Sequence, residues 1–473
     1  MHAPSTKIRK LADSYARITA VAGYFWQHPE VLKGYFSFAR KLGLLNALSR
    51  FSKSLRQGGA RRILGPQVGT TQLRLRAGSG DPVIILAMPC QLGPANRIAN
   101  ALSRAGIASR IIQGPSLERY DERTHFVINA PAFVHLPAFY IAVQMEDSSK
   151  ADLFTEAYLQ ILQNASAILD YSTANIAFLS RKGLDPRRIF YLPQDGCPDN
   201  ADYFFYRFLL ATDSISFEEF WHLTGHKTEL PSDTICLSLP EYVERTEDFA
   251  RDNKFGFSAF PGLRHTQSWI GCAMSYKFLI MLARQQGLRQ IMICEDDVEF
   301  PSDFERRWQG IREYLENSSI NWDIFSGLIA DLDKEADVLG LYQFRYEQFA
   351  VINKLMSMVF NVYSERVYDT IAQWDENNHD VTTNTIDRYL ERHGSLSILT
   401  VDPFLVGHKE SQQSTIWGVE NTHYTPLIKA SNQLLKEKIL TYKKIASVPN
   451  SRTSIRIPLC DANTTPPHRE QEL

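Results

Sequence analysis

The sequence contains little cysteine for its length, with six residues among 473 and no two of them in a Cys-x-x-Cys pair. A dense set of cysteines is typical of disulfide-stabilised secreted domains, and paired cysteines are typical of zinc sites. Several of these cysteines lie in apolar runs, as Cys294 does after Ile291, Met292 and Ile293. We therefore predict reduced, mostly buried thiols in a cytosolic protein, with no disulfide framework and no zinc site.

Long apolar runs are missing as well. No stretch of about 20 apolar residues occurs, so no membrane-spanning helix is predicted. The first apolar stretch, Ile18–Trp26, has neither the hydrophobic centre nor the cleavage site of a signal peptide. These features predict a cytoplasmic protein, or one bound peripherally to the inner face of a membrane.

Neither an excess of charge of one sign nor a common nucleotide-binding motif is present. The net charge is −2, which excludes a globally basic nucleic-acid-binding protein. The sequence has no Gly-x-Gly-x-x-Gly segment and no phosphate-binding P-loop. We therefore expect no nucleic acid partner.

The length of the chain suggests two or three domains. Charge and periodicity predict a basic helical arm at 1–80, a Rossmann-like α/β domain at 81–231, a second α/β domain at 232–450 and a flexible tail at 451–473. In the arm, lysine and arginine residues greatly outnumber the acidic residues, which are Asp13 and Glu30. Aromatic residues recur there at mostly helical spacing. Such an arm can lie on an anionic membrane. The alternative is a helical arm that packs on the next domain with its charges solvated.

The 81–231 block alternates strand-like and helix-like segments, which predicts a parallel sheet with helices on both faces. The predicted strands are Val83–Met88, Ile107–Ile112, Phe126–Asn129, Ala138–Val143, Ala167–Asp170 and Ile189–Pro193. The predicted helices are Pro94–Ala105, Ala151–Gln163, Ser172–Lys182, Asp202–Ala211 and Phe217–Thr224. Ser172 is a candidate N-cap, and Gly183 ends its helix.

An acidic cluster is the sharpest feature of the 232–450 block. The predicted strand Gln290–Cys294 runs directly into Glu295, Asp296 and Asp297. Ligands of open α/β sheets bind beyond the carboxyl ends of strands, and adjacent carboxylates repel each other unless a cation lies between them. Oxygen ligands suit Mn²⁺ or Mg²⁺ shared with substrate phosphates. The alternative is an acidic turn that binds nothing.

Four segments, in order, resemble glycosyltransferase family 25, the lipooligosaccharide-type and procollagen-type galactosyltransferases. They are Leu237-Ser238 with Arg245, Gly271-Cys-Ala-Met-Ser275-Tyr276, Glu295-Asp296-Asp297, and Gly407-His408-Lys409 with Ser414-Thr-Ile416. The resemblance covers about 190 residues, from Thr234 to Trp417. Two positions depart from the family pattern, since Ser238 replaces an asparagine and Tyr276 replaces a histidine. In the 81–231 block, the turn Asp170-Tyr-Ser172 is followed by a predicted helix and by the strand segment Tyr191-Leu-Pro193. These segments loosely resemble one half of a GT-B-type glycosyltransferase. The resemblance implies a partial domain that positions the acceptor or mediates assembly, with a second transferase activity as the alternative.

The resemblance implies a GT-A fold for 232–450, a nucleotide-sugar donor, with a UDP-sugar favoured, and a divalent cation, with Mn²⁺ favoured over Mg²⁺. The implied metal ligands are Glu295, Asp297 and His408. The implied donor-binding residues are Leu237, Ser238, Arg245, Ser275, Tyr276, Asp296 and Lys409. Alternatives stay open for several of these residues: a surface ion pair of Arg245 with Glu241 or Glu244, a solvated Lys409, a backbone-bonded His408, and a Ser275 that is hydrogen-bonded within its own helix.

The family inverts the anomeric centre, which requires a general base on the acceptor hydroxyl. The candidates are Asp380, Asp387 and Glu410, with Asp387 preferred and an ion pair with Arg388 or Arg392 as its alternative. Asp297 is the strongest candidate for direct metal contact during catalysis. Trp374 and Trp417 are candidates for stacking on a sugar, and core packing is the alternative for each.

The function that the resemblance implies is transfer of a hexose, with galactose favoured, from a nucleotide-diphosphate sugar to a glycan or glycolipid acceptor such as surface lipopolysaccharide or capsule. Two alternatives remain. One is an inactive homologue that binds glycan or nucleotide, which the departures at Ser238 and Tyr276 suggest. The other is a membrane-surface scaffold that uses the basic arm.

Overall fold

The computed structural model describes residues 75, 82–114, 120, 123–194 and 200–447. The predicted tail at 451–473 and the predicted arm at 1–80, except Leu75, lie outside this part of the chain. The described residues form an α/β structure with a six-stranded sheet and an eight-stranded sheet. The predicted α/β class is confirmed at this level.

The first sheet is entirely parallel, in the order β2-β1-β3-β4-β5-β6. Its strands are β1 (Val83–Ala87), β2 (Ser109–Gln113), β3 (His125–Ile128), β4 (Tyr140–Val143), β5 (Ala167–Asp170) and β6 (Ile189–Tyr191). Every residue of β1, β3, β4 and β5 is buried, as expected for a parallel sheet that is covered on both faces. The predicted strands of the 81–231 block are confirmed within a few residues.

The helices of this half are also close to their predicted positions. They are α1 (Leu92–Arg104), α2 (Glu156–Asn164), α3 (Thr173–Arg181), α4 (Ala201–Ala211) and α5 (Phe217–Thr224). Ser172 caps α3 by accepting from the Asn175 backbone N–H, and Gly183 has φ +90°. The prediction of one helix over Ala151–Gln163 was wrong. A short 3₁₀ turn, Ala151–Leu153, precedes α2, because Thr155 accepts from the Tyr158 N–H and starts a new helix there.

The second sheet is mixed, in the order β12-β13-β15-β11-β14-β9-β7-β8. Its strands are β7 (Thr234–Ser238), β8 (Ser258–Pro261), β9 (Gln290–Glu295), β11 (Ile324–Ser326), β12 (Val338–Phe344), β13 (Glu347–Ile352), β14 (Phe360–Ser364) and β15 (Ile398–Asp402), and a separate pair consists of β10 (Val298–Glu299) and β16 (Gly407–His408). β7 runs parallel to both β8 and β9, so the ends of β7 and β9 meet at one edge.

Six further helices cover this sheet within the described residues. They are α6 (Val243–Asp252), α7 (Ser268–Gln285), α8 (Phe304–Asn317), α9 (Tyr368–Ala372), α10 (Ile386–Arg392) and α11 (Thr425–Ala446). None of the described helices is long and apolar enough to cross a membrane. Cys90, Cys236, Cys272 and Cys294 are free thiols. Cys236 and Cys294 are buried, as predicted, whereas Cys90 is exposed and Cys272 is half-buried. Cys197 and Cys460 lie outside the described residues.

A buried ion pair joins the two sheets. Arg207 on α4 contacts both carboxylate oxygens of Glu241, at 2.5 and 2.9 Å, in the loop that follows β7. The Tyr191 N–H of β6 donates to the same carboxylate at 3.0 Å. Arg264, beyond β8, donates to the Ile189 carbonyl at 2.6 Å. Burial disfavours the charged form of Glu241, but the Arg207 and Arg264 guanidinium groups outweigh it and lower its pKa to about 2.

Candidate active site

The predicted acidic cluster lies where β9 ends beside β7. Leu237 of β7 pairs with Glu295 of β9, so Ser238 and Asp296 follow at the same edge of the sheet. The Ser238 hydroxyl donates to Asp296 Oδ2 at 2.9 Å and lies 3.1 Å from the Thr246 hydroxyl. The serine that departs from the family pattern is therefore in direct contact with the acidic cluster.

Arg245, on α6, holds both aspartates of the cluster. Its Nε and Nη2 both donate to Asp296 Oδ1, with Nε at 3.0 Å, and Nη2 lies 3.2 Å from Asp297 Oδ2. Its Nη1 donates to the Gln413 carbonyl at 2.7 Å. Because Arg245 forms these contacts, the guanidinium offsets the repulsion between the neighbouring carboxylates. The alternative of an Arg245 ion pair with Glu241 does not hold, since Glu241 is paired with Arg207.

The late segment of the chain reaches Asp297 through a short strand pair. β10 and β16 pair in antiparallel fashion, with Val298 opposite His408. This pairing places His408 Nε2 at 3.2 Å from Asp297 Oδ2. A Cβ atom at position 407 would lie 2.9 Å from Glu299 Oε2, so a larger residue there would displace the Glu299 side chain. Asp297 and His408, two of the three residues that were predicted as metal ligands, are thus in contact.

The three carboxylates of the cluster have different pKa values. Burial disfavours ionised Asp297, but the hydrogen bond with His408, the charge of Arg245 and the Asn421 amide together hold the pKa of Asp297 below its ordinary range. Burial and the charges of Asp297 and Asp296 raise the pKa of Glu295 to about 8. Burial also raises the pKa of Asp296, against the opposing effect of Arg245. Asp297 is therefore the carboxylate that is held in its ionised form.

The predicted metal ligands come together only in part. Within the described ranges, no group of three or more His, Cys, Asp or Glu side chains has a metal-binding arrangement. Glu295 contacts Cys272, whose Sγ lies 3.9 Å from Glu295 Oε1, and its role as a ligand stays a prediction. Asp297 Oδ1 is buried and has no hydrogen-bond partner, and His408 lies beside the same carboxylate. One carboxylate and one imidazole fit a Mn²⁺ or Mg²⁺ ion whose other ligands are water and substrate phosphates.

Lys409 is committed to carboxylates of helix α6. Its Nζ lies 2.7 Å from Asp248 Oδ2 and 2.6 Å from Asp252 Oδ2, and its side chain is 9% exposed. Burial disfavours the charged lysine, but these two aspartates outweigh it and raise its pKa. The alternative of a solvated surface lysine was wrong, and a contact of Lys409 with the donor diphosphate stays a prediction.

Helix α7 carries Ser275 and Tyr276, two of the predicted donor-binding residues. Ser275 Oγ donates to the Gly271 carbonyl at 2.7 Å and accepts from the Leu263 N–H at 2.8 Å. Tyr276 is fully buried, and its hydroxyl donates to the Met358 carbonyl at 2.9 Å. Both side chains are thus bonded to the protein backbone, as the alternative for Ser275 expected. Their predicted contact with the donor stays untested.

The three candidate general bases differ in their surroundings. Asp387 lies in the first turn of α10, where it accepts from the Thr385 hydroxyl at 2.6 Å, and its charge contributes to the raised pKa of Glu295. Asp380 accepts from the hydroxyl groups of Thr382 and Thr383, and Glu410 accepts from Thr425. Asp387 is the candidate whose charge reaches the acidic cluster. Its alternative, an ion pair with Arg388, is not formed, since Arg388 pairs with Glu391.

The two candidate tryptophans have opposite environments. Trp374 is fully buried, and its indole N–H donates to the Asn384 carbonyl at 2.8 Å, so core packing is its role. Trp417 is 45% exposed and lies at the tip of a hairpin (residues 412–421), which is closed by the bridge between Gln413 and Glu420. At the base of this hairpin, Arg245 donates a hydrogen bond to the Gln413 carbonyl.

Asn421 is a site residue that sequence reasoning did not find. Its side chain is fully buried, and its Nδ2 donates to Asp297 Oδ2 at 3.1 Å and to the Lys409 carbonyl at 3.0 Å. This asparagine belongs to no motif. It comes close to Asp297 only in the folded chain, where β10 and β16 pair. Its position 13 residues after His408 carried no recognisable signal.

Comparison with known proteins gives limited support. No protein-family model matches the chain. One curated protein matches, a protein from Bos taurus that is described as "Probable inactive glycosyltransferase 25 family member 3". The two are 29% identical over 113 residues, which is 24% of this chain and 16% of the bovine protein. Over about a quarter of its length, the chain is therefore similar to a glycosyltransferase family 25 member.

Proposed function

We propose that this protein is a glycosyltransferase with a GT-A-type domain at 232–450. In this proposal, the enzyme moves a hexose, with galactose favoured, from a UDP-sugar to a glycan or glycolipid such as lipopolysaccharide or capsule, with inversion at the anomeric carbon. The Rossmann-like first half would position the acceptor. The partial match to a family 25 member supports the class of enzyme, and the geometry of the acidic cluster supports the reaction.

The observation that carries the proposal is the convergence of polar side chains at the end of β9. Ser238, Arg245 and His408 reach Asp296 and Asp297 from separate elements and lie within 3.2 Å of a carboxylate oxygen. A purely structural acidic turn would need no imidazole from a distant strand. Such a convergence is typical of a binding site at the carboxyl edge of an α/β sheet.

Individual side chains would have distinct roles in the reaction. Asp297 and His408 would hold the divalent cation, which when bound supplies positive charge for the departing nucleotide diphosphate. Arg245 keeps the carboxylate of Asp297 ionised and fixed in orientation. Asp387 would accept the proton of the acceptor hydroxyl as that oxygen attacks the anomeric carbon from the side opposite the leaving group.

A second candidate function is binding without turnover. The bovine relative is described as probably inactive, and in this chain Arg245 already supplies a positive charge between Asp296 and Asp297. A protein of this kind would bind a nucleotide sugar or a glycan and release no product. The same experiment separates the two candidates.

Donor turnover is the test. The purified protein is incubated with UDP-, GDP- and CMP-sugars, with and without Mn²⁺, and nucleotide release is measured. We expect Mn²⁺-dependent release from a UDP-sugar, and we expect Asp297→Asn to abolish it. Asp323→Asn is the matched control, since Asp323 is also a buried aspartate paired with an arginine, Arg366. Binding without release, also in the presence of candidate glycans, favours the inactive homologue. Absence of binding for every donor contradicts both functions.

A further inference from the structure

Asn421 determines how the carboxylate of Asp297 is oriented. A backbone carbonyl can only accept a hydrogen bond, so the atom of Asn421 that lies 3.0 Å from the Lys409 carbonyl must be its amide nitrogen. The same nitrogen donates to Asp297 Oδ2 at 3.1 Å. Both amide hydrogens are therefore used, one on the backbone and one on the carboxylate.

The two oxygens of Asp297 are consequently unequal. Oδ2 has three neighbours, namely Asn421 Nδ2 at 3.1 Å, Arg245 Nη2 at 3.2 Å and His408 Nε2 at 3.2 Å. Oδ1 is buried and has no hydrogen-bond partner, and the same is true of Asn421 Oδ1. Buried oxygens without a partner are rare in folded proteins, and each disfavours the structure unless a ligand satisfies it. Two such oxygens occur on this hydrogen-bonded pair of side chains, and a cation in contact with them would satisfy both.

We infer that Asn421 is the positioning residue of a divalent-cation site formed with Asp297 and His408. The amide of Asn421 holds Asp297 by Oδ2, which leaves Oδ1 to face the cation. The Asn421 nitrogen also lies 3.1 Å from His408 Nε2, so the side chains of Asn421, His408 and Asp297 are in mutual contact. This inference rests on the proposed metal dependence of the transferase, to which it adds a residue that lies outside the resembling motifs.

Titration of the full-length protein with Mn²⁺ tests the inference without any turnover. The free ion is followed by electron paramagnetic resonance, with Mn²⁺ alone and with Mn²⁺ plus inorganic pyrophosphate. Loss of a residue that orients a metal ligand typically weakens metal affinity by about 10- to 100-fold. We expect a weakening of that size for Asn421→Ala and for Asn421→Leu, which preserves more of the side-chain volume.

Asn175→Ala is the matched control. Asn175 is buried in the first half of the chain, and its Nδ2 donates to one backbone carbonyl, at Glu146, and to one carboxylate, at Asp170. We expect this variant to bind Mn²⁺ as the wild type does. Thermal melting in EDTA identifies any variant that has lost its fold, and the two Asn421 variants are compared on this basis.

The outcomes separate this inference from the proposed function. Equal Mn²⁺ affinity of the wild type and a folded Asn421 variant overturns the inference and leaves the transferase proposal standing. No Mn²⁺ binding by the wild type, with or without pyrophosphate, overturns both the inference and the proposed metal dependence. Mn²⁺ binding that depends on Asn421, together with no turnover of any nucleotide sugar, supports the inference and contradicts the transferase.

Discussion

Asp296 and Asp297 are neighbours in sequence, yet their side chains have different surroundings. Both oxygens of Asp296 accept hydrogen bonds, from Arg245 and from Ser238. Asp297 has one oxygen in hydrogen bonds and one without a partner. Both aspartates contact Arg245, but only Asp297 keeps an oxygen that is available to a ligand.

Removal of the Arg245 charge should destabilise the protein. In Arg245→Met, two buried carboxylates would lose their cation, and we expect the free energy of unfolding at pH 7 to fall by about 3–5 kcal/mol. Arg251→Met is the control on the same helix, because Arg251 is 68% exposed in its pair with Asp248, and we expect a change within about 0.5 kcal/mol. Urea unfolding measures both changes. A similar small change in the two variants would show that Arg245 does not stabilise the cluster.

The two tryptophans give a second prediction for single residues. Trp374→Ala should lower the free energy of unfolding by about 3–5 kcal/mol, because it empties a fully buried site. Trp417→Ala should change it by no more than about 0.5 kcal/mol, because the ring is 45% exposed.

If Trp417 stacks on a sugar, its replacement should raise the acceptor KM and leave kcat unchanged. Steady-state kinetics with varied acceptor measure this effect, and a lower kcat at constant KM would speak against stacking.

Sequence alone identified the acidic cluster, Arg245 and His408, because each belongs to a recognisable motif. It did not identify Asn421, which is a single asparagine without a motif, and it did not distinguish Trp374 from Trp417. Burial separates these residues, and burial depends on segments that are far away in sequence. A site residue within a motif can be recognised from the sequence. A site residue that reaches the site only through packing of distant segments cannot.

At the level of elements, the first sheet was predictable because most of its strands are short, fully buried apolar runs between helices. The second sheet was not. Of its strands, the sequence predicted β7, as Thr234–Leu239, and β9, as Gln290–Cys294. Both are apolar and buried along most of their length. β12 has mostly half-buried or exposed residues, and β14 includes the buried polar residues Asn361 and Ser364. Neither strand is the short apolar run from which strands were predicted.

Helix α7 makes a close backbone approach that can be tested. A Cβ atom at Gly271 would lie 2.8 Å from the His265 backbone nitrogen, and a backbone neighbour cannot rotate away. We expect Gly271→Ala to lower the free energy of unfolding by about 1–3 kcal/mol and to displace the helix that carries Ser275. Urea unfolding provides the measurement.

Gly93→Ala is the control, because Gly93 is also helical and a Cβ there has nothing within 4 Å. This variant should be neutral or more stable by up to about 1 kcal/mol, since alanine favours the helix. If Gly271→Ala were equally neutral, the approach of α7 to residues 264 and 265 would not be a constraint on the fold.

For the molecule as a whole, the pair of Arg207 and Glu241 couples the two sheets. Both side chains are almost fully buried, so each single replacement, Arg207→Met or Glu241→Leu, removes one partner of a buried ion pair and should cost about 3–5 kcal/mol. The double variant should lose less than the sum of the single losses, with a coupling free energy of about 1–3 kcal/mol. Urea unfolding of the four proteins measures it. Strictly additive losses would contradict a direct coupling.

The same pair predicts how stability depends on pH. The pKa of Glu241 is about 2 in the folded protein, against about 4.3 in an unfolded chain. Because the folded pKa is the lower one, the stabilisation is fully present above about pH 4.3 and is lost as the pH falls towards 2. We expect the free energy of unfolding to decrease over this range in the wild type, and to decrease less in the double variant. Equal slopes would exclude Glu241 as the source.

The acidic cluster also has a consequence for how the protein is made. Arg245 lies 51 residues before Asp296 and 168 residues before Gln413, and Asn421 lies 124 residues after Asp297. A nascent chain that has emerged only as far as Asp297 carries three adjacent carboxylates without His408 or Asn421. Contacts between such distant segments form slowly, after the intervening loops have closed. The site is therefore completed only when most of the second sheet has been synthesised and folded. A shorter nascent chain would carry the carboxylates without offering a finished site to a substrate.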